Sequence, residues 1–295
     1  MRRMSWVYVM ALGAVVAAVQ AQPAATGKLD PPVMQGTLFP GTGARYIVFE
    51  SGVGSGDVCL YDRKTNSRVT LPGLNAPGLN QCPSISSDGR YIAFQSYREG
   101  GAGGMHVYLY DRSTSSLVSL PGLNSTCDDE CPSISADGRY IAFVSHRAGG
   151  VGGWDVYLYD RNVGSLVSLP GLNSTGTDDY PSISADGRYI AFQALREGGV
   201  GRWDVYLYDR SVSSLVSLPG LNSSADDRYP SVSSDGRYIT FASVRAGGTG
   251  GQDLYLYDRN TSSVVALPGL TRLAMTGIPP PGGGLGLSGS QPPAR

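Results

Sequence analysis

Ser-Ala-Asp-Gly-Arg-Tyr-Ile-Ala-Phe, from Ser135 to Phe143, followed by Asp-Val-Tyr-Leu-Tyr-Asp-Arg, from Asp155 to Arg161, decides the architecture of this chain. Asp137-Gly138 between two runs of β-formers reads as a tight hairpin turn, with positive φ expected at both central positions. Tyr140 to Ser145 is then a strand, His146 to Gly153 a glycine-rich loop, and Asp155 to Tyr159 the next strand. Asp160 to Gly164 turns again, and Ser165 to Leu169 makes a further strand. Pro170 stops it, because proline cannot donate to a continuing ladder. With Ser133 to Ser135 ahead of the turn, the unit is a meander of four short strands, the pattern of a propeller blade. Its middle strands are apolar at successive positions, as a sheet held between two neighbours requires.

The unit recurs every 49 residues. Asp-Gly-Arg-Tyr begins at Asp88, Asp137, Asp186 and Asp235, and Tyr-Asp-Arg has its Asp at Asp62, Asp111, Asp160, Asp209 and Asp258. A period of this size marks an array in which each unit buries its faces on the next. The five Tyr-Asp-Arg strands predict an all-β propeller of five blades over 38–270. The first blade is degenerate, and its first strand is expected near Leu38 to Gly41. Residues 22–37 form a lead-in, and 271–295, with its Pro-Pro-Pro-Gly-Gly-Gly run, reads as a disordered tail.

Residues 1–21 have the features of a secretory signal: Arg2 and Arg3, an apolar run from Val7 to Val19, and small residues before Gln22. The expectation is export to the periplasm or the extracellular space, with no membrane span left after cleavage. A net charge of -1 gives no field that would draw the chain to nucleic acid. Near-identical blades invite exchange between chains, so the oligomeric expectation is a monomer or a swapped dimer.

From Ser135 to Phe143 and Asp155 to Arg161, and again in the next copy, these blades resemble the repeats of TolB-type propellers. The likeness runs from about Leu38 to Leu270 and implies a propeller, export and a general binding role. The family's namesake carries six blades and an α/β domain ahead of them, so only fold, export and binding are carried over.

The long loops and the loops entering each first strand share one face of such a propeller. Arg98, Arg147, Arg196 and Arg245 stand there, one per blade, opposite Asn80, Asp129, Asp178 and Asp227. Arg and carboxylate around a channel mouth can grip a protein or a glycan, but the simpler reading is that they pair with each other and hold the loops. Trp154 and Trp203 break the repeat on that face, which makes them the sharper candidates for binding. Cys127 and Cys131, four apart in one loop, are a candidate disulfide. With His106 and His146 the only histidines, the usual zinc ligand set is incomplete, and neither stands beside a nucleophile motif that would suggest a Ser-His-Asp triad; no metal or cofactor is expected. The reading is an exported, non-enzymatic interaction or scaffold module. A lectin-like propeller is the alternative, and a glycoside hydrolase a more distant one.

Overall fold

The computed structural model describes residues 10–11, 35–36, 45–51, 56–98, 104–248 and 251–267. The signal reading falls almost wholly outside them, and so do the expected strand at Leu38–Gly41 and the tail at 271–295. Met10–Ala11 and Gln35–Gly36 form a short parallel pair. The rest is five antiparallel sheets, four of four strands and the first of three, each in simple sequential order. Blade one is Tyr46–Ser51, Asp57–Asp62 and Ser67–Val69. Blade three, the type for the others, is Asp129–Ile134, Tyr140–Ser145, Asp155–Asp160 and Ser165–Val167. Blades two, four and five span 80–118, 177–215 and 227–266.

Alternation along the middle strands sends successive side chains to opposite neighbours. Ile141, Phe143 and Tyr159 of blade three pack with Ala93, Val107 and Leu109 of blade two. Ala142, Val144, Val156 and Leu158 pack instead with Ile183, Ile190 and Phe192 of blade four. Each fully buried Val, Leu, Ile or Phe among them contributes roughly 1.5–3 kcal/mol, so the core lies between the blades rather than within one. Buried tyrosines add a polar tie: the hydroxyls of Tyr110, Tyr159, Tyr208 and Tyr257 donate to the carbonyls of Pro72, Pro121, Pro170 and Pro219 in the preceding blade. In blade one the equivalent Tyr61 bonds the side chain of Asn66 in its own turn.

The Asp-Gly turn departs from the expected form. Positive φ occurs at Gly138 (74°) and not at Asp137. Asp137 instead accepts the Arg139 N–H at 2.9 Å, Ser135 Oγ accepts that of Tyr140 at 2.9 Å, and Gly138 N donates to Ser135 O at 2.9 Å. Side chains supply what a two-residue turn would have left to backbone twist. Gly138 is also required by its neighbour, since a Cβ there would lie 2.5 Å from a ring carbon of Tyr91 in blade two. Guanidinium groups close the same face. Arg139 grips Asp160 at 2.9 and 2.7 Å, while Arg161 donates to Gly138 O at 2.6 Å and lies 4.1 Å from the Tyr91 ring centre.

First strands begin earlier than the sequence suggests, at Asp129 rather than Ser133 in blade three. The ladder slips between Glu130 and Ser133, where Cys131 takes the left-handed conformation (φ 51°). The bulge absorbs Pro132, so the strand runs on past a residue that ordinarily ends one. After each fourth strand an asparagine clamps the third. The N–H of Val156 donates to Asn173 Oδ1 at 2.9 Å, and Asn173 Nδ2 donates to Val156 O at 3.0 Å.

Candidate functional site: the loop face and the axis

On the loop face the recurring arginines and acids meet each other. Arg147 donates to Asp129 Oδ1 at 2.6 Å and to Leu123 O at 2.7 Å, and its guanidinium lies 4.6 Å from the Tyr157 ring centre. Arg245 repeats this with Asp227 and Leu221, both at 2.6 Å. Arg196 bonds Asp178 at 2.7 Å and the carbonyl of Leu172. The second oxygens of Asp129, Asp178 and Asp227 accept the N–H groups of Ser125, Ser174 and Ser223 at 2.6–2.7 Å. All three carboxylates are fully buried. Blade two has Asn80 in their place: Arg98 donates to it at 3.2 Å and to Leu74 O at 2.6 Å, and burial lowers this guanidinium from its ordinary value. Arginine and acid thus hold loop to strand.

A second set of acids caps the glycine-rich loops. Asp155 accepts from the N–H groups of Val151 and Gly152, and Asp204 from those of Val200 and Gly201. Burial raises both carboxyls, and the nearby charges of Asp178 and Asp227 add to the effect. His106 fills this slot in blade two, with Nδ1 3.4 Å from Asp129 Oδ2.

Trp154 and Trp203 are half-buried on the same rim, and each has a companion outside the repeated pattern. The Trp154 ring centre lies 4.6 Å from that of His146. Arg228 lies 4.9 Å over Trp203 and pairs with Asp226 at 2.6 Å. His146, Asp226 and Arg228 were not singled out by motif. Lining up the copies finds Arg228, because that position reads Gln81, Glu130, Asp179 and Arg228 in successive blades.

Next to it, at the axis, stand the left-handed residues Cys82, Cys131, Tyr180 and Tyr229, with φ of 50–53°. The kink aims the N–H groups of Cys82, Cys131 and Tyr229 at the preceding blade. Gln95 Oε1 accepts that of Cys131 at 2.6 Å, and Gln193 Oε1 that of Tyr229 at 2.8 Å. Glu50 receives that of Cys82 and also the side chain of Gln81, while burial raises its carboxyl. Val144 occupies the corresponding place before Tyr180 and cannot accept, so Asp179 takes the Tyr180 N–H at 2.8 Å. Tyr180 and Tyr229 meet edge to face with ring centres 4.8 Å apart.

All four cysteines are thiols in the structure, and the ring expected between Cys127 and Cys131 is not formed. The Cys131 thiol is instead hydrogen-bonded to Cys82. Among the described residues no three His, Cys, Asp or Glu side chains converge as a metal site. No helix among them is long and apolar enough to cross a membrane.

Comparison with known proteins bears on this geometry. No curated protein matches the chain. TolB from Acinetobacter baumannii is similar in structure, with 25% identity and a TM-score of 0.58 over 75% of this chain and 51% of that one. The match therefore spans about half the length of that protein. A putative TolB from Agrobacterium tumefaciens shares the fold at 22% identity and a TM-score of 0.56, over 75% of this chain and 76% of the other. Hydrazine synthase from Kuenenia stuttgartiensis shares it at 16% identity and 0.51, over 85% and 70%. A family model for the TolB beta propeller domain matches residues 32–272, the whole of the bladed region, and by that match the chain belongs to the TolB beta propeller domain family.

Proposed function

We propose that this chain is an exported, non-enzymatic binding propeller that takes a protein partner on the loop-face rim around Trp154 and Trp203. One observation carries the reading. The arginine–acid pairs of blades three, four and five spend their hydrogen bonds inside the blades, whereas the rim residues that differ between copies are half-exposed aromatic and charged groups. Trp203 under Arg228 offers apolar area and a cation together, the combination that dominates protein interfaces. Export rests on the Arg2-Arg3 and Val7–Val19 pattern and on the resemblance to TolB-type propellers.

The alternative partner is a glycan, since a half-exposed indole also stacks on sugar rings. Capture of envelope or extracellular proteins by the chain from Gln22 onward, beside a glycan array, separates the two. The protein reading expects a partner whose affinity falls ~10-fold or more in Trp154→Ala/Trp203→Ala and whose capture free sugars do not compete. Sugar-competed retention on the array, or full binding by the double variant, would overturn it.

A further inference from the structure

We propose that Cys82 and Cys131 are a disulfide-forming pair that bolts the first strand of blade two to the first strand of blade three at the propeller axis. The inference is independent of what binds the rim. The two residues occupy the same repeat position, 49 apart, and have the same left-handed backbone, with φ of 50° and 51°. Their strands pack side by side, for the N–H of Ile134 donates to Ser84 Oγ at 3.0 Å. Side chains at this repeat position converge from blade to blade: their counterparts Tyr180 and Tyr229 touch in the next pair. Both backbones are already fixed, Cys131 by Gln95 and Cys82 by Glu50. The thiols are neighbours, hydrogen-bonded to one another, and both residues are half-buried.

The chemistry is thiol–disulfide exchange with a small disulfide such as glutathione disulfide. The hydrogen bond with Cys82, burial, and the carboxylates of Asp179 and Glu130 all hold the Cys131 thiol above its ordinary value. One thiol of the pair loses its proton to solvent and attacks the reagent, expelling one reagent thiolate and forming a mixed disulfide. The other then loses its proton, attacks the protein sulfur of that mixed disulfide and expels the second. Two S–H bonds give one S–S bond, and the reagent's disulfide leaves as two thiols.

The bond would close a long loop through two blades, so the oxidised protein should melt roughly 10 °C above the reduced one. The test equilibrates the folded chain with glutathione disulfide, blocks the remaining thiols with iodoacetamide, and digests with trypsin and a glutamate-specific protease. Cleavage after Glu130 separates Cys127 from Cys131. The expected product joins the Cys82 peptide to the Cys131 peptide with the loss of two hydrogens, and leaves Cys127 alkylated. In Cys82→Ser, Cys131 should be recovered alkylated. A Cys127–Cys131 link, or all four cysteines alkylated in the unsubstituted protein, would overturn the proposal.

Discussion

The two faces of the propeller hold acids in different company, guanidinium groups on the turn face and backbone or amide N–H groups in the loop caps, with opposite electrostatic effect. On the turn face, arginines that are nearly half in water grip Asp62, Asp111, Asp160, Asp209 and Asp258. The guanidinium bond holds these carboxyls below their ordinary range, Asp62 at about 2. On the loop face, desolvation dominates instead, and Asp155, Asp204 and Glu50 are raised. A carboxylate between a cation and solvent stabilises the folded state as an anion, whereas one tied only to backbone or amide groups in the interior resists ionising. The turn face is therefore built for neutral pH, and the loop-cap acids pull the other way.

The sharpest break of this contrast is Asp178→Ala. It strips the partner from a guanidinium that is mostly buried, with 13% side-chain exposure, and should cost about 3–5 kcal/mol in urea denaturation. Asp209→Ala, which frees an Arg188 side chain that is 45% exposed, should cost clearly less. Equal losses would mean that burial does not separate the faces. Gly138→Ala comes next. A left-handed alanine pressed on the Tyr91 ring should lose about 2–4 kcal/mol, read from the same transition.

The smallest effect lies in the pH profile. Stability from the turn-face acids is fully present above the unfolded carboxyl value, about 3.9, and is lost as pH falls through their depressed folded values. Asp155 and Asp204 act in reverse: their contribution is present below that value and is lost as pH rises through their raised ones. The double variant Asp155→Asn/Asp204→Asn should flatten the decline above pH 4 and leave the acid arm unchanged. A steeper decline above pH 4 would contradict the raised values.

What was legible in the sequence was whatever repeats. The 49-residue step and the Asp-Gly and Tyr-Asp-Arg turns gave five sheets, and the offset between Arg147 and Asp129 foretold a mutual pair. Two local details escaped because a side chain stood in for backbone geometry. Asp137 caps the turn with its carboxylate rather than adopting positive φ, and the bulge at Cys131 carries the strand past Pro132. The contacts of the candidate site escaped for a different reason. Arg228 over Trp203, and Cys82 beside Cys131, join residues on different blades, and a period says which positions are equivalent without saying which of them touch.

The asparagine clamp also bears on the host in which this protein is made. Asn124-Ser-Thr, Asn173-Ser-Thr, Asn222-Ser-Ser and Asn260-Thr-Ser all match the acceptor pattern of eukaryotic N-glycosylation. Nδ2 of Asn124, Asn173 and Asn222, the atom that would carry the sugar, donates to the carbonyls of Val107, Val156 and Val205 at 2.9–3.0 Å. An oligosaccharide attached there would remove one half of the clamp in three consecutive blades and set a bulky polar group against a third strand. Asn260 lies exposed in a turn, with only its backbone N–H bonded to Asp258. A eukaryotic secretory pathway would thus put its glycans where three of four acceptors already have structural work, which favours a bacterial host for producing the folded chain.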